Sequence, residues 1–284
     1  MKYALIDFNG VAIRALSAVK PSELTEEYGR HLILNSLIFL RKKLKDYKFI
    51  IANDSYSWRR DVFPYYKANR REIVSKDPIN WKLIHTVIRN VSEELKTLLG
   101  WCCISLHGCE ADDIIAILCK HLVNDEIVIV SRDKDLYQLT KYKHVRQYNP
   151  FDQKFVKMDL PPQSYLNVQI ATGDTGDGVP NMLSADDCFV AKKRQKPLRK
   201  NKIAHYLEQV GTDEEITKYY RRNQQLIDLD FIPEHLVDNV INLFETYTYP
   251  EKTLGVFNYF FRFKLSALMP YAGVLANDTA SDDN

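Results

Sequence analysis

Nine carboxylates occupy five places along the chain: Asp7; Asp54; Glu110, Asp112 and Asp113; Asp133 and Asp135; Asp174 and Asp177. Most of these places fall where an apolar, strand-like run gives way to a loop or helix. Acids gathered in this number repel one another unless cations sit among them. Hard oxygen donors without an accompanying His or Cys set select Mg²⁺ or Mn²⁺, and a pair of such ions is a common device for cutting phosphodiesters. These residues point to a metal-dependent nuclease.

Taken singly, each group has a plainer explanation. Glu110 and Asp113 lie three residues apart at the start of EADDIIAILCK and share a helix face, whereas Asp112 reaches the same site only if the first turn is irregular. Acids also collect in first helical turns simply to meet the macrodipole. Asp133 and Asp135 in SRDKD come directly after an apolar strand, and alternate residues of an extended segment point the same way. Asp174 and Asp177 in GDTGDGVP lie in a glycine-rich turn that an Asx-turn would explain equally well. Their joint placement at successive element ends is what makes coincidence a poor account.

The elements that must position them are short. Tyr3–Phe8, Phe49–Ala52, Trp101–Leu106 and Ile127–Val130 are apolar runs separated by helix-length segments, the pattern of a parallel α/β sheet whose ligands gather at the carboxyl ends of its strands. Leu32, Leu34, Leu37, Ile38, Phe39 and Leu44 have helical spacing, as do Trp81, Ile84, Val87, Ile88, Val91, Leu95, Leu98 and Leu99, with Gly100 ending the second helix. From about Leu160 helices dominate. The expected fold class is therefore α/β: a central, mostly parallel sheet with flanking helices, plus a helical C-terminal subdomain. The polar stretch NDTASDDN reads as a frayed tail.

The chain has 284 residues, 45% hydrophobic and 27% charged, enough for a large core, and a net charge of only +2. That small total conceals two basic runs. Arg59, Arg60, Lys67, Arg70, Arg71 and Lys76 fall among two acids, and Lys192, Lys193, Arg194, Lys196, Arg199, Lys200 and Lys202 fall among none. Either run alone could be a solvated face, but basic arms around an acidic centre suit a backbone-gripping metalloenzyme. WRRDVFPYYKANRRE interleaves aromatic rings with cations, a composition that holds an unpaired strand; Trp58, Val62 and Tyr65 are better read as core positions of an amphipathic helix. The five cysteines form no Cys-x-x-Cys pair and read as reduced, buried residues. No signal-peptide pattern or membrane-length apolar run is evident, so a soluble cytoplasmic protein with no membrane partner is expected.

In this order and spacing, IDFNG, the lone Asp54, WRRDVFPYYKANR, GCEADDIIA, VSRDKDLYQL and GDTGDGVP resemble the 5′-nuclease (flap endonuclease) superfamily, over residues 1 to about 270. RHLILNSLIFL and LIDLDFIPEHLVDNVINLF are similar to its phage RNase H branch in particular. The resemblance implies a PIN-like core at 1–160 with a helical arch at about 58–80, a helical DNA-binding subdomain at 161–275 and a disordered tail at 276–284. It implies two Mg²⁺ ions, with Mn²⁺ able to substitute. Asp7, Asp54, Glu110, Asp112 and Asp133 match the inner metal cluster, with Asp113 the neighbouring acid of that motif; Asp135, Asp174 and Asp177 match the second. Lys67 would stabilise the transition state at the scissile phosphate, Arg70 would assist, Tyr66 would stack on a base, and Arg59 and Arg71 would join in gripping the strand.

The resemblance also implies 5′ flaps, nicks, forks and RNA–DNA hybrids as substrates, removal of RNA primers from lagging-strand fragments, a replication single-strand-binding protein as partner, a monomeric state and, for a phage protein, the host cytoplasm. One segment departs from the family pattern. After GDxxD, relatives continue into a glycine-rich helix-hairpin-helix, whereas VPNMLSADDCFVAKKRQKPLRKNK has no glycine pair and places Gly178 where Asn is usual. The expected substitute is a side-chain grip from Lys192, Lys193, Arg194, Lys196, Arg199, Lys200 and Lys202, from a loop interrupted by Pro197. Two alternatives stand beside this: a haloacid-dehalogenase-type phosphatase using ALIDFNG, and a catalytically silent DNA-junction binding module.

Overall fold

The computed structural model describes residues 1–70 and 79–276. Six strands form one sheet: β1 (Lys2–Asp7), β2 (Lys48–Ala52), β3 (Cys102–Ile104), β4 (Glu126–Val130), β5 (Val145–Asn149) and β6 (Lys154–Phe155), in the spatial order β3-β2-β1-β4-β5-β6. The first five are parallel, and β6 returns antiparallel along β5. Four strands coincide with the apolar runs. β5 and β6 go beyond them, because VRQYN carries Arg146 and Gln147 at its centre and shows no apolar run.

Both faces of the sheet are covered, and strand alternation decides which residue serves which side. Ala4 and Ile6 of β1, Phe49 and Ile51 of β2, and Val128 and Val130 of β4 enter one core with helices Phe8–Ser17, Glu26–Lys43 and Trp81–Thr97. Leu5, Ile50, Ala52, Ile127 and Ile129 enter the other, against helix Ala111–His121. Helix Glu26–Lys43 starts at Thr25, whose hydroxyl accepts the Tyr28 amide at 3.2 Å, with Glu26 and Glu27 in its first turn. Gly100 takes φ 69°, a left-handed turn that glycine adopts without strain, and redirects the chain from helix Trp81–Thr97 into β3.

The region after β6 is helical, as expected, but does not stand as one separate body. Leu166, Ile170 and Leu226 share a small core with Phe63 and Tyr66, and Met182, Ile203 and Ile216 form another. Helix Glu234–Glu245, by contrast, lays Leu236 and Val240 on the second sheet core. Tyr259, Phe260, Leu265 and Leu268 enter the first. A buried polar cluster secures this return: Glu94 accepts Tyr259 at 2.6 Å and two Arg30 bonds of 2.8 Å. These late helices lay apolar faces on the sheet cores.

All five cysteines are free and buried. Among the described residues no helix is long and apolar enough to cross a membrane. Residues 71–78 of the expected arch, with Arg71, and residues 277–284 of the expected tail lie outside the described residues.

Candidate active site

The carboxylates meet at the carboxyl ends of β1, β2 and β4. Asp7 closes β1 and caps the next helix: it accepts the Gly10 amide at 2.9 Å and the Ser131 hydroxyl at 2.7 Å. A Cβ on Gly10 would lie 2.3 Å from the Asp7 carboxylate, so this close approach requires glycine. Asp54, just past β2, accepts the Ala111 amide at 2.9 Å, which ties it to the start of helix Ala111–His121. Asp133 accepts the Asp135 amide at 2.9 Å, and Gln169 donates to Asp135. Asp174 accepts the amides of Gly176 and Asp177 at 2.7 and 3.2 Å, a local turn that presents Asp177 beside Glu110.

Two local expectations need correction. Asp112 reaches the cluster from a regular helix, where Asp133, Asp7, Asp54 and Glu110 all act on it electrostatically. Asp135 does not continue an extended strand; it opens a 3₁₀ turn, Asp135–Lys141. The cluster therefore gathers through turns rather than through strand alternation.

Crowding leaves a strong electrostatic mark. Burial and the Asp54 charge push Asp7 up to about 6, and burial with Asp133 and Asp174 pushes Asp135 up to about 7. Asp112 is raised well above the usual carboxylate range by burial and four surrounding acids. Asp54 rises through burial against the pull of the Ala111 amide, and Asp174 through burial and Asp177. Glu110 goes the other way: burial opposes its ionisation, but Lys67 and Arg59 outweigh burial and hold its pKa down.

Cations line one rim. Lys67 Nζ pairs with Glu110 and lies 3.5 Å from Asp177, while Arg70 pairs with Asp177 and donates to the Gly176 carbonyl at 3.1 Å. The Tyr66 hydroxyl stands 2.9 Å from Glu110 and 2.7 Å from Asp177, donating to one at a time, and so bridges the two groups of acids. Tyr66 is only 5% exposed, which corrects its expected role as a base-stacking ring. Val62, expected in the core, is exposed, whereas Trp58 is buried.

Arg59 and Asp113 are corrected together. Asp113 is fully buried and receives the Arg59 guanidinium through bonds of 2.8 and 3.0 Å, while also capping the Glu110 amide at 3.0 Å. Arg59 further donates to the Leu226 carbonyl at 2.7 Å and to Glu110 at 3.3 Å. Asp113 thus points away from the other acids, and Arg59 is a buried strut rather than a DNA-facing cation. Asp113→Asn should lower the melting temperature, since breaking a buried pair costs about 3–5 kcal/mol. Well below that temperature the variant should keep the wild-type dependence of cleavage on Mg²⁺ concentration. A shifted metal titration would return Asp113 to the metal site.

Ser57, Ser131, Gln147 and Gln169 were not among the expected site residues. Ser57 donates to Glu110 at 2.8 Å, and Gln147 reaches the carbonyls of Ser131 and Asp133 at 3.2 and 2.5 Å. Ser131 stands inside the SRDKD motif and could have been found there; Gln147 lies on the unanticipated β5.

The donor set fits divalent cations. The clustered acids offer hard carboxylate oxygens, and several are held in an environment that opposes their own charge. Among the described residues no three of them close into a set that grips an ion directly. A bowl of hard oxygen donors suits divalent cations. Linkage makes this testable. With unfolded values near about 3.9, the raised pKa values of Asp7 and Asp135 mean that the folded chain holds more protons between about pH 4 and 7, so their contribution to metal-free stability is lost as pH rises through that window. Mg²⁺ should therefore raise the melting temperature more at pH 8 than at pH 5; equal increments would contradict binding at these acids.

The second basic run is ordered differently from a free loop. Asn181 takes no part in the bowl but anchors the run: its backbone amide donates to Gln195 Oε1 at 2.8 Å and its side-chain amide to the Lys196 carbonyl at 2.9 Å. Lys193 pairs with Asp187 at 2.9 Å and Lys196 with Glu215 at 3.3 Å, both exposed pairs of small energy. All seven cations of the run are exposed.

A family model for the 5′-3′ exonuclease N-terminal resolvase-like domain matches residues 2–166, and one for the C-terminal part of T4 RNase H matches residues 163–272. Ribonuclease H of Enterobacteria phage T4 is 30% identical over 286 residues, covering 93% of this chain and 92% of that protein. DNA polymerase I of Rhizobium leguminosarum is 28% identical over 200 residues, 63% of this chain but 19% of the polymerase. In fold, the chain is similar to the bacteriophage T5 5′-exonuclease solved with divalent zinc ions, with a TM-score of 0.63 and 16% identity over 86% of this chain and 99% of that one. The chain therefore belongs to the 5′-3′ exonuclease family, on its phage ribonuclease H branch.

Proposed function

We propose that this nuclease uses two Mg²⁺ ions, replaceable by Mn²⁺, to cut phosphodiesters at 5′ flaps, nicks and forks, and that it removes RNA primers from lagging-strand fragments. The observation that carries this reading is the bowl itself: Asp7, Asp54, Asp112, Asp135 and Asp174 all resist ionisation where they stand, an arrangement that divalent cations would relieve. Asp7, Asp54, Glu110, Asp112 and Asp133 would hold one ion and Asp135, Asp174 and Asp177 the other. Such ions activate water for attack and offset charge on the scissile phosphate and leaving oxygen.

The chain's own side chains supply positioning. Lys67, set between Glu110 and Asp177, stands where a phosphate laid across both groups of acids would meet it, with Arg70 beside it. Tyr66 keeps the two groups of acids in register, and Arg59 fixes Glu110 through Asp113. The nuclease core spans 1–160, and the run from Lys192 to Lys202, within the helical region, grips duplex DNA by side-chain charge. The protein acts as a monomer in the host cytoplasm alongside a replication single-strand-binding protein. The phosphatase alternative lacks support from the residues: its general acid should stand two positions after Asp7, where the chain has Asn9.

The product pattern tests this reading. A labelled 5′-flap duplex should yield fragments cut at the junction, and an RNA-primed nicked duplex should lose its RNA stepwise from the 5′ end, both only with a divalent metal. Products cut at random internal positions, or release of phosphate alone, would overturn it.

A further inference from the structure

A second opening shares an acid with the bowl. Asp54 and the neighbouring Asn53 line a groove of about 560 Å³ that runs along the edge strand β3, between helix Trp81–Thr97 and the chain at the end of helix Glu234–Glu245. Lys67 and Arg70, the cations paired with Glu110 and Asp177, do not line it. Both walls are pinned. Ser92 of the first helix donates to Asn53 Oδ1 at 2.8 Å, and Tyr247 donates to the Trp101 carbonyl at 2.7 Å while accepting the Cys103 amide at 3.3 Å. The helix wall contributes Arg89 and Lys96, two turns apart on one face and so roughly 10 Å apart along the axis at about 1.5 Å per residue. Both are exposed, and among the described residues neither is in an ion pair, although Glu93 lies between them. The facing wall offers apolar surface, with Leu243 37% exposed and Tyr247 half-buried.

We propose that this groove holds the 5′-terminal nucleotide of the cut strand and, after the cut, the nucleoside 5′-monophosphate that is released. The inference rests on the nuclease function proposed above. In that reaction the oxygen of a water joins phosphorus, the bond from phosphorus to the 3′ oxygen breaks, and that oxygen takes up a proton. A single nucleotide removed in this way leaves with a 3′-hydroxyl and with the phosphate it already carried at its 5′ end. Asp54 sets one part of the groove at the bowl, where the 3′ oxygen is freed. The 5′ phosphate of the same nucleotide then lies farther along, where Arg89 offers a planar fork suited to phosphate. The base rests on Leu243 and Tyr247. A cleft of this size suits a small ligand, whereas a continuous backbone would call for a longer row of cations than Arg89 and Lys96. The enzyme would thus read whether a 5′ end is phosphorylated when it degrades stepwise, and its mononucleotide product would compete with the next 5′ end.

Equilibrium dialysis of labelled dAMP and deoxyadenosine against the metal-free protein in EDTA tests the groove without cleavage. Wild type should bind dAMP at least about tenfold more tightly than deoxyadenosine, the scale of one charge-assisted hydrogen bond. Arg89→Met should erase that difference and leave deoxyadenosine binding as it was, and Arg89→Lys should restore part of it, with an unchanged melting temperature as the check on folding. Leu243→Asp, on the facing wall, should weaken both ligands. With Mg²⁺ added, a 5′-phosphorylated nicked duplex should lose its first nucleotide faster than its 5′-hydroxyl counterpart, a preference that Arg89→Met removes. Equal binding of dAMP and deoxyadenosine, dAMP binding that survives Arg89→Met, or a Leu243→Asp variant that binds both ligands normally would overturn the proposal. Wild-type cleavage keeps the two readings apart: a wild type that cuts neither duplex removes the proposed function, whereas one that cuts both at the same rate removes only the groove.

Discussion

Replacing Asp112 by Asn is expected to lower turnover at saturating Mg²⁺ by at least about a thousandfold, equivalent to about 4 kcal/mol of barrier, while raising the melting temperature of the metal-free protein. Both effects come from one position. Asp112 is buried among Asp133, Asp7, Asp54 and Glu110, where its charge is opposed from every side. Asn keeps the shape and removes the repulsion, so the apo fold should gain; it also removes a proposed metal ligand, so catalysis should fail. Thermal unfolding in EDTA and steady-state cleavage read the two arms separately. Retention of more than about a tenth of wild-type turnover would remove Asp112 from the metal site, and a lower apo melting temperature would contradict the repulsion described for it.

Lys67→Ala is expected to slow single-turnover cleavage by roughly two to three orders of magnitude, the scale for one preorganised electrostatic partner, with little change in substrate affinity. Lys67 adopts φ 56°, and its amide donates to the Asp177 carbonyl at 2.7 Å, so its backbone is fixed directly against the second acidic loop. A residue held in left-handed geometry at the junction of two acidic groups is placed for a task specific to that point. If binding collapsed while the bound complex still reacted at the normal rate, Lys67 would be an anchor for the substrate and its transition-state role would be wrong.

The strands and most of the acids were legible because both write themselves into local sequence. An apolar run such as Ile127–Val130 suits a doubly buried strand, and the residues just past its carboxyl end stand where a parallel sheet gathers its ligands. β5 stayed hidden because Gln147, a buried polar residue, interrupts it, and the reason for that glutamine is the Asp133 loop it holds. The place of Asp113 was hidden for a related reason. Spacing says which residues share a helix face but not which face turns toward the site, and that was decided by Arg59 reaching Asp113 from a distant segment. The same pairing explains why WRRD read as a strand-gripping motif: an arginine looks solvated in sequence until its buried carboxylate partner is known. Tyr66 likewise looked like a stacking ring beside Lys67, yet its hydroxyl is used between Glu110 and Asp177. The last third of the chain was correctly helical, but its return onto the sheet depends on Arg30, Glu94 and Tyr259 meeting across three separate segments.

Counting bound Mn²⁺ by electron paramagnetic resonance, alongside the cleavage rate of a flap duplex as free metal is raised from EDTA-buffered zero, tests the central claim most directly. Two ions per chain are predicted for wild type, with no cleavage in EDTA and a rate that rises as about the square of free metal at low concentration, the signature of two required ions. A single bound ion, or cleavage that persists in EDTA, would contradict the account.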